Sequence, residues 1–263
     1  MNEIFAHFNN YLLLFMLIFT RWLVMTIFIP FLGAALLPAL VRLALAILLS
    51  IVSFLMLFEH SIFPKLSITL IVALFIKEAL VGFIIGLFAS LIFYAYELFG
   101  QILDIARSAS MAKLLVPELK QQSSPMGTLL FQLALALFFS LGLHVPAIKT
   151  LYLSFEHFPP LLLTTNLYSP HHLGLCVRII AALFELALRL SIPVVFTCFL
   201  IDLAFGFLNR VAPQINAYFL SLPAKMMGGL IMLFFLIPLV IDDFLQHHDH
   251  MMAFLKSLLS VAN

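Results

Sequence analysis

Six runs of predominantly apolar residues constrain this chain more than any other feature. They lie at about residues 11–36, 39–58, 66–96, 128–148, 173–208 and 226–245. Roughly 20 apolar residues in helical conformation cross the ~30 Å hydrocarbon core of a bilayer. A segment in lipid must also satisfy its own backbone N–H and C=O groups, which a helix does and an isolated strand does not. The sequence therefore predicts an all-α, multi-helix membrane protein built of helical hairpins. Composition removes the soluble alternative: 64% of the 263 residues are hydrophobic and 10% are charged, with a mean hydropathy of +1.19. Soluble domains are about 45–50% apolar and about 25% charged. A net charge of +1 with scattered Lys and Arg offers no basic stripe to neutralise phosphates, which excludes nucleic-acid binding. No Lys or Arg precedes the first run and no small-residue cleavage pattern follows it, so a cleaved leader is not expected.

Turn chemistry marks four breaks: Glu59 and His60 through Pro64 and Lys65, the polar stretch 100–127, the stretch from Pro159 and Pro160 to Pro170, and residues 209–223. The fifth run carries Arg178, Glu185, Arg189, Pro193 and Asp202, and is expected to bend or divide near Pro193. Lys77 and Glu78 interrupt the third run. A charge at the bilayer centre costs about 2.5–3.5 kcal/mol, so all of these groups should face protein or water. Glu185 and Arg189, at i and i+4, are placed to pair on one helix face, as a buried structural ion pair, an ion relay or a contact between subunits. Lys77 and Glu78 stand about 100° apart around a helix and are expected to find separate partners. Gly82, Gly86 and Ser90 form a small-residue stripe that lets another helix approach closely. Arg42, Arg107, Lys113, Lys120, Arg210 and Lys225 follow the odd-numbered runs, against Lys65, Lys149 and Lys256 on the other side. This bias puts the odd-numbered loops in the cytoplasm and both termini outside.

Groups that could carry chemistry are few. Cys176 and Cys198 lie inside apolar runs without metal-type spacing and read as small hydrophobes. Asp242, Asp243, His247, His248, Asp249 and His250 include ligand types for a divalent metal, but a solvated helix end explains them without one. His171 and His172 read as a polar entry to a helix. No nucleophile elbow, zinc-protease motif or phosphate loop is present, so no enzyme, cofactor or metal is expected. A stand-alone secondary transporter, coupled through Glu185, Arg189 and Asp202, is the alternative from another class, although no internal repeat supports it.

The most informative stretch runs from Asp202 through Gly206, Asn209, Arg210, Pro213, Gln214 and Asn216 to Pro223, Ala224 and Lys225. It reads as an irregular polar turn between apolar helices, which membrane proteins tolerate only inside protein or against water. This pattern resembles the signature of the FliR/SctT family of type III export-apparatus proteins. Lys77 and Glu78 with Gly82 and Gly86, Gly100 and Gln101 with Asp104, and Gln122, Ser123, Ser124, Pro125 and Gly127 agree with it, so the likeness spans nearly the whole chain. The Ser-Ser-Pro-x-Gly stretch is more similar to the injectisome branch, SctT, than to flagellar FliR. Two positions depart: Ser108 follows Arg107 where the family commonly has glycine, and Ala224 stands where a larger apolar residue is usual.

The resemblance implies one non-catalytic subunit of a hetero-oligomeric, protein-conducting export gate in the bacterial inner membrane. Its implied partners are SctR/FliP-type and SctS/FliQ-type subunits, an SctU/FlhB-type switch protein, unfolded secretion substrates and the lipid bilayer. Residues 1–170 resemble the SctR/FliP unit and 171–263 the SctS/FliQ hairpin within one export-apparatus domain. Residues 107–125, with Arg107, Ser108, Ala109, Ser110, Met111, Ser123, Ser124 and Pro125, match a loop that plugs the pore. The assembly is expected to sit largely above the membrane plane. Asp202 to Lys225 would serve subunit contacts or the pore entrance, with Arg210 and Lys225 seeking acidic partners.

Overall fold

The computed structural model describes residues 2–34, 36–57, 67–109, 124–163 and 170–260. Every regular element among these residues is helical: α1 (Asn2–Phe28), α2 (Ala39–Leu57), α3 (Ile68–Ala106), α4 (Pro125–Ser140), α5 (His144–His157), α6 (Pro170–Val211) and α7 (Ala217–Ser260), with a 3-10 turn at Pro30–Leu32. Five of them, α1, α2, α3, α6 and α7, are long and apolar enough to cross a membrane. The protein is an all-helical membrane protein. The 39, 42 and 44 residues of α3, α6 and α7 correspond to ~60 Å each at 1.5 Å per residue. That is about twice the hydrocarbon thickness, more length than a single crossing needs.

Four sequence expectations are corrected. The run 128–148 is not one helix, because α4 ends at Ser140 and α5 begins at His144, with Gly142 at φ +70° in the break. The fifth run does not divide at Pro193, which lies within the continuous α6. Thr197 Oγ1 donates to the Pro193 carbonyl over 2.8 Å one turn further on. The break at 100–127 begins later than its composition suggests, since Gly100 to Asp104 are still helical. The break at 209–223 shrinks to residues 212–216, and Pro223 falls inside α7.

The chain forms two compact units. The first comprises Met1–Leu91, Leu141–Cys176 and Asp249–Asn263, and the second Ile92–Ser140 and Val177–His248.

In the first unit Trp22 is fully buried. Its Nε1 donates to Ser53 Oγ over 2.7 Å, and its ring meets Tyr152 edge-on at 5.4 Å and Phe155 at 5.9 Å. The Gly82 and Gly86 stripe lies against α1 of the same chain: a Cβ at Gly82 would stand 2.8 Å from the Arg21 carbonyl oxygen, and one at Gly86 3.2 Å from Phe28 Cβ. In lipid, where no hydrophobic force drives helices together, such close backbone packing is a main source of association.

In the second unit Phe93 meets Phe138 edge-on at 5.3 Å. Tyr96 donates from its hydroxyl to the Val240 carbonyl over 3.1 Å and packs on Phe244.

Candidate functional site

Among the described residues, three polar clusters stand out, one in the first unit and two in the second. Within the first unit, Arg21 on α1 and Glu78 on α3 are fully buried, and Lys77 is 6% exposed. Arg21 grips Glu78 with two donors, Nε to Oε2 at 2.6 Å and Nη2 to Oε1 at 2.9 Å. It also donates to the carbonyls of Ser154 at 2.9 Å and Phe158 at 2.6 Å, and lies 4.2 Å over the Phe155 ring. Lys77 Nζ stands 2.6 Å from Glu78 Oε1 and donates to the carbonyls of Pro159, Pro160 and Leu162. Two cations thus share one carboxylate, and backbone carbonyls at and beyond the C-terminal end of α5 supply the remaining negative potential. The expectation of separate partners for Lys77 and Glu78 is therefore half corrected: each has one, and the long lysine arm also reaches its neighbour. Arg21 belongs to none of the motifs or spacings that the sequence offers. A lone arginine amid an apolar run is itself the signal, because it demands a buried acid elsewhere.

In the second unit, α3 ends and α4 begins around one carboxylate. Asp104 Oδ2 accepts from Ser124 Oγ and from the Met126 N–H at 3.0 Å. Ser124 caps α4, its Oγ accepting from the Gly127 N–H at 2.9 Å, and Pro125 occupies the first helical position, where no N–H is needed. A Cβ at Gly100 would lie 2.5 Å from Gly127 N, so the motif glycine lets the end of α3 touch the start of α4. Helix α3 stops in a Schellman arrangement, with the Ala109 N–H bonded to the Asp104 carbonyl and the Ser108 N–H to the Ile105 carbonyl. Ser108 takes the left-handed position at φ +56°. That geometry explains why glycine suits the position, and serine holds it at a cost of about 1 kcal/mol.

Arg107 is buried, its stem against Gly229 and its Nη1 3.8 Å from Asp104 Oδ1. Among the described residues, its Nε and Nη1 have no hydrogen-bond partner. Pro125, Ser124, Ala109, Ser108 and Arg107 thus frame the expected plug segment, while Ser110, Met111 and Ser123 lie outside the described residues.

The third place is the α6–α7 hairpin, also in the second unit. Ala212 to Ile215 make a β-turn closed by the Ile215 N–H on the Ala212 carbonyl at 3.0 Å, with Pro213 in the second position. Asn216 precedes α7 and caps it, with Oδ1 3.4 Å from the Phe219 N–H. Asp202, Gly206, Asn209 and Asn216 line a cleft of about 300 Å³ with Phe205, Ala217, Tyr218 and Ser221. Arg210, Pro213, Gln214 and Pro223 are exposed. Lys225, by contrast, is buried and pairs with Asp202 at 3.0 Å, so its acid lies within the chain.

Two other expectations are corrected here. Glu185 and Arg189 are exposed on this chain rather than buried, and Arg189 pairs with Asp243 of α7 instead of Glu185. A carboxylate on a packed neighbouring helix proved the better acceptor than one on the same face. In sequence, Asp243 stands with the histidines that follow it. His247 Nδ1 lies 2.9 Å from the Asp243 carbonyl, the side chains of His248, Asp249 and His250 lie outside the described residues, and no metal-type cluster occurs among those described. Cys198 is buried, whereas the Cys176 side chain is outside the described residues.

Fold and site together define a multi-helix membrane protein with buried ion pairs and an exposed polar hairpin. The model of the bacterial export proteins, family 1, matches residues 12–251, and the chain belongs to that family, which contains flagellar FliR and its secretion-system counterparts. It is 30% identical to the flagellar biosynthetic protein FliR of Bacillus subtilis over 220 residues, 83% of this chain and 84% of that one. It is 31% identical to the secretion system apparatus protein SsaT of Salmonella typhimurium over 179 residues, 68% of each. It is 30% identical to the surface presentation of antigens protein SpaR of the same organism over 223 residues, 83% and 81% of the two. Identities so close to one another do not separate the flagellar from the secretion branch. The family consists of structural export-apparatus components, not enzymes.

Proposed function

We propose that this chain is a core subunit of a type III export gate in the bacterial inner membrane, forming part of the protein-conducting channel beside SctR/FliP-type and SctS/FliQ-type subunits and an SctU/FlhB-type switch protein. The observation that carries the reading is the exposure of the signature hairpin: Asn209, Arg210, Pro213, Gln214 and Asn216 face outward. Val211 and Phe207 beside them are 83% and 68% exposed. An apolar, polar-tipped hairpin of this kind is suited to burial against other subunits. Arg210 is the hairpin cation available to a partner's acid, since Lys225 is engaged with Asp202.

Residues 107–125 serve, in this reading, as the movable plug. Asp104 supports it, because its carbonyl holds Ala109 and its carboxylate holds Ser124 and Met126, at the two ends of that stretch. The Ser-Ser-Pro-x-Gly stretch favours the injectisome branch. A transporter coupled through Glu185, Arg189 and Asp202 gains no support, as Arg189 pairs with Asp243 and Asp202 with Lys225.

The test combines Arg210→Glu with deletion of residues 108–113 and reads secretion and membrane ion leakage in cells carrying the whole apparatus. Loss of secretion from the first change and ion leakage from the second are expected. Unchanged secretion and unchanged ion-tightness in the combined variant would sink the proposal.

A further inference from the structure

A cleft of about 520 Å³ opens in the first unit between α2 and α5, lined by Val52, Met56, Ile148, Leu153 and Phe155 among others. The polar groups in its wall are already engaged. Ser53 Oγ accepts from Trp22 and donates to the Leu49 carbonyl, and Tyr152 directs its hydroxyl to the same carbonyl at 3.4 Å. The floor therefore offers an apolar surface and no free hydrogen-bonding group to a ligand. The rim differs. Lys149 and Glu156 also line the cleft, both exposed and neither in an ion pair among the described residues. They are seven residues apart on α5, which places them on nearly one face, ~10 Å apart along the axis. Two long side chains of opposite charge, flanking the mouth of an apolar trough, match a headgroup carrying both signs with a hydrocarbon chain beneath it.

We propose that this cleft holds one acyl chain of a phosphatidylethanolamine-type phospholipid, with the phosphate on Lys149 and the ammonium on Glu156. Charge complementarity selects this occupant. A purely anionic headgroup would meet Lys149 favourably and Glu156 unfavourably, and a quaternary ammonium has no N–H to donate to the carboxylate. The volume falls within the ~300–1,000 Å³ usual for small-ligand sites, enough for a single chain rather than a whole lipid.

Trp22 provides the readout. It is the only tryptophan and stands directly behind the cleft wall, against Tyr152 and Phe155. The full chain is placed in vesicles of unlabelled phosphatidylcholine, and its fluorescence is followed as dibrominated phosphatidylethanolamine, phosphatidylcholine or phosphatidylglycerol replaces the host lipid. The ethanolamine lipid should quench Trp22 with an apparent affinity about two- to fivefold above the other two, the range of exposed ion pairs. Lys149→Gln with Glu156→Gln should erase that preference while leaving the unquenched emission maximum unchanged, which shows the fold intact. Met56→Phe, which narrows the cleft, should lower quenching by all three. Equal quenching by the three lipids overturns the proposal and leaves an apolar cleft that any chain or a partner's side chain covers. A preference for the glycerol lipid, or no quenching by any, overturns it equally.

Discussion

The first unit buries a cluster of three charges, and the α6–α7 hairpin of the second leaves its polar signature exposed. Arg21, Glu78 and Lys77 are buried, and each makes at least three short polar contacts within the chain. Asn209, Arg210, Gln214 and Asn216 are exposed. Both arrangements answer the same difficulty, that polar groups are costly in an apolar setting. The first unit resolves it by itself. The hairpin leaves the resolution to its surroundings, which is what distinguishes a folding element from an assembly element.

The comparison predicts a gradient of stability effects. Glu78→Gln should be the most damaging, because it leaves two buried cations facing carbonyls alone; about 3–5 kcal/mol is expected, read as loss of a cooperative unfolding transition in detergent. Adding Arg21→Met to it should recover part of that loss, since one orphaned charge goes too. If the double variant is as unstable as the sum of the singles, the two residues are not the coupled pair described here. Gly100→Ala comes next, with about 1–3 kcal/mol expected from the clash with the backbone of Met126 and Gly127. Ser124→Ala should cost about 1 kcal/mol through loss of the α4 cap. Ser108→Gly should stabilise by about 1 kcal/mol, because glycine takes the left-handed position without strain; a destabilising result would show that the serine side chain has a role beyond the turn. At the far end, Arg210→Glu and Gln214→Ala should move stability by less than about 0.5 kcal/mol and yet impair assembly.

Helix identity was legible in the sequence because apolar runs of spanning length leave little choice of structure. Helix ends were less so. Polar composition at Gly100 to Asp104 suggested a loop, yet these residues continue α3, where Gly100 makes room for α4 and Asp104 caps it. Pro193 and Pro223 suggested breaks, but helices long enough to be held along their length carry them. Buried charges were recognised as needing partners, but which partners depended on packing. Arg21 finds Glu78 across 57 positions and Arg189 finds Asp243 across 54, distances over which spacing rules along a helix are silent. The departure at Ser108 was visible as a residue, and only the backbone angle gave it a physical meaning.

The most direct measurement is the native mass and composition of the detergent-extracted complex after this chain is co-expressed with its neighbouring membrane proteins, for the unaltered chain and for Arg210→Glu. One copy within a large hetero-oligomer, lost or depleted in the variant while its unfolding transition is retained, is the predicted result. A stable monomer or homodimer that binds none of the neighbours would contradict the account.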